Sequence, residues 1–216
     1  MASTAAKDGI IKFDLQYIPG EALSADEIDD VNRYRMIMHV LELIGQDPER
    51  YAGYGFGNIS VRLAPFEAPV HHRRFAITGT QTGNLADLGP EHYAIVEECE
   101  PERNRIVATG PWKPSSESLT HGVVYDLDPA VHCVIHVHSP EIWYASERLK
   151  LPTTDASVPY GCPEMAAEVV RLYEDTDLPE RRIFSMGGHE DGIVAFGPTT
   201  DSAARTLLAA LRQASK

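Results

Sequence analysis

The chain has 216 residues, 43% of them hydrophobic and 24% charged, a globular composition that suits one domain with a sizeable core. Its formal net charge of −13 argues against a nucleic-acid backbone or an anionic membrane surface as partner, because gripping arrays of phosphate takes a basic face. No run approaches the ~18 consecutive apolar residues of a membrane span, and the opening MASTAAKDGIIKFDLQY lacks the basic-then-apolar order of a signal peptide, so a cytoplasmic setting is expected.

Residues 1–23 read as a loosely structured arm with a turn at Pro19-Gly20, and residues 24–216 as a single domain. Ser24, with Glu27 three residues on, has the form of a capping box. Ile28, Val31, Arg35, Met38 and Leu41 then recur at helical spacing, with Gly45 as a plausible stop. A glycine-rich turn, YAGYGFG, leads into a strand over NISVRL, and short apolar bursts at 74–78, 92–97 and 106–109 read as further strands. Between the first two of these lies the polar glycine loop TGTQTGNLADLG. Residues 115–127 read as a helix ended by Asp128-Pro129, and 132–139 as the clearest strand. Pro140 and Pro163 open helices to about 149 and 175. A strand pair at 182–185 and 192–196 surrounds a glycine turn, and Thr199 caps a last helix. Strands and helices in mixed order mean α/β layers, with helices covering a sheet. The three cysteines, Cys99, Cys133 and Cys162, have no CxxC spacing and read as free thiols in a reducing compartment.

The chemistry concentrates in three places. In the strand HCVIHVHSP, side chains alternate between faces, so His136 and His138 point the same way, about 7 Å apart along the strand. Two imidazoles so placed can converge on one first-row metal ion, although two histidines on an amphipathic strand would give the same pattern. Glu117 follows Pro114-Ser115-Ser116 at a helix start, where the macrodipole favours negative charge and free N–H groups can grip an anion; a plain N-cap looks the same. The turn Met186-Gly-Gly-His189-Glu190-Asp191-Gly192 offers further ligand types. The loops around Gly57-Asn58 and Thr82-Gly83 could give N–H and hydroxyl donors to an anion. Neither a Walker loop nor a GxSxG nucleophile elbow occurs.

The order GNIS at 57–60, TGTQTG at 78–83, PSSES at 114–118, His121, HVHSP at 136–140, His189 and GIVAFG at 192–197 resembles the class II aldolase/adducin head family, over about residues 28–212. The resemblance implies a three-layer α/β/α sandwich around a largely antiparallel sheet and a homotetramer with sites at subunit interfaces. It implies a divalent metal, most often Zn2+, with Mn2+ or Fe2+ in relatives. By position it makes His136 and His138 metal ligands and Glu117 both ligand and acid/base. Asn58, Thr82, Gly83, Ser115 and Ser116 fall on the pocket for an anionic, phosphorylated substrate. The expected function is a metal-dependent aldolase-type lyase acting through an enediolate on a small phosphorylated ketose or hydroxy acid. A decarboxylase, dehydratase or epimerase on the same scaffold, or a non-catalytic adducin-like interaction domain, are the alternatives. Two departures stand out. Where the family has its third histidine this chain has Asp191, with His189 two residues earlier, and His189 is the expected ligand. The chain is also short between HVHSP and Val158-Pro159-Tyr160-Gly161, where the aldolases carry a catalytic tyrosine from a neighbouring subunit.

Overall fold

A computed structural model describes residues 9–216; the first eight residues of the expected arm lie outside the described residues. The chain runs β1 (Asp14–Pro19), α1 (Ala25–Val40), β2 (Gly45–Gln46), β3 (Gly55–Phe56), β4 (Asn58–Arg62) and β5 (Phe75–Thr78). It continues through β6 (Tyr93–Glu100), β7 (Arg105–Gly110), α2 (Ser118–Leu127), β8 (Cys133–His138), α3 (Pro140–Tyr144) and α4 (Ser146–Leu149). It ends with α5 (Pro163–Asp175), α6 (Leu178–Arg181), β9 (Ile183–Ser185), β10 (Gly192–Gly197) and α7 (Thr200–Ala214). The main sheet has the order β1-β7-β6-β5-β4-β8-β10-β9. Every pairing in it is antiparallel except β1 with β7.

Two cores sandwich this sheet. On one face Leu119, Val123 and Val124 of α2 and Met165, Val169 and Leu172 of α5 pack over Phe75, Ile77 and Val134. On the other, Ile28, Val31 and Met38 of α1 and Ala203, Ala204 and Leu207 of α7 pack over Ile59, Ile135 and Val137. The architecture is the expected α/β/α sandwich around a mostly antiparallel sheet. Alternation along β8 explains it: Cys133, Ile135 and Val137 enter the α1/α7 core, while Val134 enters the α2/α5 core on the same face as His136 and His138. Among the described residues no helix is long and apolar enough to cross a membrane.

Several boundaries differ from the sequence expectation. Part of the stretch expected as a loose arm is β1, and Phe13 just before it is 5% exposed in the α2/α5 core. The strand forms because Asp14–Pro19 finds the open edge of β7, a pairing far off in sequence. Helix α1 stops at Val40 with Leu41 as C-cap, four residues before Gly45. Helix α2 begins at Ser118 rather than Ser115, because Ser115 O accepts from both the backbone and the hydroxyl of Ser118, at 3.1 and 2.7 Å. The helix expected from Pro140 to 149 is two short turns broken at Ala145. The Ser24–Glu27 capping box is present.

Phe13 tests whether the first strand is part of the fold. Phe13→Ala is expected to cost about 3 kcal/mol or more in urea unfolding, as for other buried aromatics cut back to alanine. A loss near zero would mean an arm detached from the core.

Candidate metal centre and active site

Strand β8 lies inside the sheet, hydrogen-bonded to β4 on one side and β10 on the other. The register sets Asn58 and Val194 opposite His136, and Gly192 opposite His138. The β9–β10 turn therefore closes directly beside His138 and carries His189 back over the strand. Glycine is required at 192: a Cβ there would come within 2.5 Å of the His189 ring. The outcome is one group of three buried imidazoles, His136, His138 and His189, whose ligating nitrogens all lie within 4.8 Å of one another. The Nε2 atoms of His138 and His189 are 3.0 Å apart.

This donor set fits a first-row metal. Imidazole nitrogens bound tetrahedrally at 2.0–2.1 Å would sit about 3.4 Å apart. His136 Nδ1 lies 3.2 Å from Ile193 O; donating to that carbonyl leaves Nε2 as the free lone pair and fixes the ring, a common outer-shell device. Burial holds His136 at a pKa of about 4 and places His138 and His189 well below the usual imidazole value. All three are thus neutral and able to ligate at neutral pH.

Glu117 is 2% exposed and stands at the N-cap position of α2, where Thr120 Oγ1 donates to its Oε2 at 2.7 Å. Its carboxylate falls outside the mutual 4.8 Å of the three imidazoles. It lines one pocket with His136, Asn58, Thr82, Gly83, Ser115 and Ser116. The five residues expected around a substrate anion are therefore brought together, next to Glu117 and one imidazole. Among the described residues that line it there is no lysine or arginine, and those donors are neutral amides and hydroxyls. Asn58 is 6% exposed, and its Oδ1 has no hydrogen-bond partner among the described residues. Gly83 approaches so closely that a Cβ would lie 2.1 Å from Gly45 O.

The structure adds further residues, all but Tyr160 left unmarked by the sequence. The Tyr51 ring packs on His138 with centroids 4.4 Å apart. Tyr160 is 1% exposed and packs on His189 at 4.6 Å. The Lys12 ammonium lies 3.4 Å from the Tyr160 ring centroid and donates to Tyr160 O at 2.9 Å. Gly9 O accepts from Thr80 Oγ1 at 3.1 Å, and Gly9 also lines the pocket. A tyrosine inside a glycine-rich turn or a lysine in a terminal stretch carries no local mark of a site. Asp191, the other candidate third ligand, accepts from Tyr51 Oη at 2.6 Å and stays outside the imidazole group.

The family model described as Class II Aldolase and Adducin N-terminal domain matches residues 47–215. Among solved structures, L-fuculose-1-phosphate aldolase from Thermus thermophilus superposes with a TM-score of 0.61 at 18% identity, over 89% of this chain and 92% of that one. YgbL from Escherichia coli, described as a candidate aldolase, epimerase or decarboxylase, gives 0.62 at 18% identity, over 88% and 87%. A sugar-phosphate aldolase from Thermotoga maritima gives 0.61 at 16% identity, over 88% and 92%. At such identities the likeness speaks for the fold. No curated protein sequence matches.

The buried imidazoles set a pH dependence for the metal-free protein. Unfolded histidines titrate near pH 6.5, whereas the fold holds His136 near 4 and His138 and His189 well below normal. On acidification the unfolded state therefore takes up protons first, and stability present above pH 6.5 is lost progressively toward pH 4. Melting of chelator-treated protein should show this fall, and His136→Asn should make it shallower; equal slopes for the two proteins would contradict the assignment.

Proposed function

Because the chain belongs to the class II aldolase and adducin N-terminal domain family, we propose that it is a metal-dependent aldolase-type lyase acting on a small, anionic, phosphorylated ketose or hydroxy acid. The observation that carries this reading is the convergence of three buried imidazoles beside a pocket that also holds Glu117. An interaction domain would have no use for such a group, since burying polar rings is costly unless they are bonded or ligate. His136, His138 and His189 would hold a divalent ion, with Zn2+ the first choice for a neutral nitrogen set. Such an ion supplies Lewis-acid stabilisation of negative charge on substrate oxygens.

The other roles fall to the chain itself. Asn58, Thr82, Ser115, Ser116 and the Gly83 backbone grip the substrate's anionic end away from the reacting carbon, which supplies orientation. Glu117, its Oε2 fixed by Thr120, moves a proton to or from the substrate. Burial away from water keeps that proton transfer within the site. A decarboxylase, dehydratase or epimerase would use the same groups, so the substrate decides among them. A homotetramer in the cytoplasm goes with this reading.

Two measurements test it. Protein purified without added metal should contain a stoichiometric ion that His136→Ala and His138→Ala both lose; an ion-free wild type would argue for the interaction domain. Against a panel of ketose phosphates, hydroxy acids and keto acids, Glu117→Gln should keep its ion yet lose roughly 10²–10⁴-fold in turnover, the usual share of acid–base catalysis. Full activity in Glu117→Gln would remove that residue from the mechanism.

A further inference from the structure

Residues 9–13 lie ahead of the stretch that the family model matches, 47–215, yet they touch the site at two places. The first is the pocket. Gly9 lines it together with Glu117 and His136. Its carbonyl accepts from Thr80 Oγ1 at 3.1 Å and from Gln81 Nε2 at 3.4 Å. Gln81 Oε1 in turn accepts from Gly55 N at 3.1 Å, so one glutamine ties residue 9 to β3 and to the loop that carries Thr82 and Gly83. Gly9 has φ of +69°, and a Cβ there would lie 1.8 Å from Gln81 Nε2. Only glycine makes this approach without displacing that hydrogen bond.

The second place is Tyr160, whose ring packs on His189. The Lys12 ammonium lies 3.4 Å from the centroid of that ring and donates to Tyr160 O at 2.9 Å. A cation over an aromatic face and a charge-assisted hydrogen bond thus act at one residue. Ile10 N also donates to Tyr160 Oη, at 3.4 Å. Beyond Lys12 the chain is firmly held. Asn104 Nδ2 donates to Lys12 O at 3.2 Å, Asp14 N donates to Asn104 O at 2.7 Å, and Phe13 is buried in the α2/α5 core. The segment is therefore anchored at its far end, reaches the pocket at its near end, and is held to Tyr160 in between.

We propose that residues 9–13 form a wall of the active site supplied in cis, that Lys12 is the positioning residue that latches this wall onto Tyr160, and that the latched wall holds the pocket closed around an anionic group. The inference rests on the reading of that pocket as an anion site. Lys12 does not itself line the pocket, so it acts through the backbone of the segment. Residues 9–13 belong to no helix or strand, and a stretch without regular pairing opens locally at lower free energy than the sheet. The latch raises the cost of that opening. An anion that binds only the latched form shifts the balance toward it, and by linkage the latch improves anion binding by the same factor.

Full-length, metal-loaded protein tests this with inorganic phosphate as the probe. Bound phosphate should slow hydrogen exchange at the backbone amides of residues 10–13. Lys12→Met, which keeps a side chain of similar length and removes the cation, should weaken phosphate binding about tenfold, a usual size for coupling between sites. The same variant should exchange faster at 10–13 while its ion content stays that of wild type. Lys12→Arg can still sit over the ring and donate to Tyr160 O, so it should keep both the affinity and the exchange of wild type. Asn104→Gly removes the hydrogen bond on Lys12 O without changing charge, and should move both readouts in the direction of Lys12→Met; this arm holds even if Lys12→Met fails to fold. Exchange at 10–13 that phosphate leaves unchanged overturns the proposal. So does a Lys12→Met protein that binds phosphate as wild type does, or one that binds it more weakly with exchange at 10–13 unaltered, which is a plain charge effect. Wild type that binds no phosphate overturns the anion pocket as well.

Discussion

The site depends on strand parity at the middle of a sheet. His136 and His138 share a face because they are two residues apart on β8, and β8 is held straight by hydrogen-bonded neighbours on both sides. A slip of one residue would send both imidazoles into the α1/α7 core and bring Val137 and Ile135 out in their place. The apolar residues on the opposite face prevent that slip, since Cys133, Ile135 and Val137 are each no more than 1% exposed. The α1/α7 core thus fixes the direction of the two imidazoles without touching them. His189 arrives by a different route, on a tight turn whose start and end are tied by Met186 N to Gly192 O at 2.8 Å and Gly192 N to His189 O at 2.9 Å.

Among the described residues, the pocket beside that centre offers neutral donors. The chain carries a net charge of −13, and a long-range positive field is absent as a means of holding phosphate. What remains is close backbone approach. Gly83 packs against Gly45 and Gly55 where any Cβ would clash with backbone, and Gly57 has φ of +74°. Directed N–H groups and hydroxyls at short range can hold an anion in a desolvated pocket, where each interaction is stronger than in water. The acidic surface then does not contradict an anionic substrate.

Much of this was legible in the sequence because its determinants are local. The Ser24 capping box, the β8 alternation and the helix-start glutamate are each written within a few residues, and each has its structural counterpart. What was missed is non-local. Strand β1 exists only because β7 offers it an edge some ninety positions away. Residues 51–53 look like an ordinary glycine turn until Asp191 and His138 are placed against them. The choice between His189 and Asp191 could not be made from spacing, since both sit on one turn. The structure groups His189 with His136 and His138, while Asp191 accepts from Tyr51.

The same non-local logic explains Arg35, a charged residue in an otherwise apolar helical stripe. It is 1% exposed on α1 and donates to Ala86 O at 2.6 Å and Thr82 O at 3.0 Å. A buried guanidinium is tolerated only when its donors are satisfied, and here the acceptors are carbonyls of the loop that lines the anion pocket. Turning the Thr82 carbonyl toward Arg35 commits the orientation of the neighbouring peptide units. An apolar side chain at 35 would pack as well against the core, but it would leave the carbonyl of the buried Thr82 unpaired, at a cost of about 1–3 kcal/mol. The cheapest relief is for the loop to rotate, and the pocket that Thr82 and Gly83 line would then change shape. The irregular arginine in the stripe therefore bears on the pocket through its control of backbone direction, although it does not itself line it.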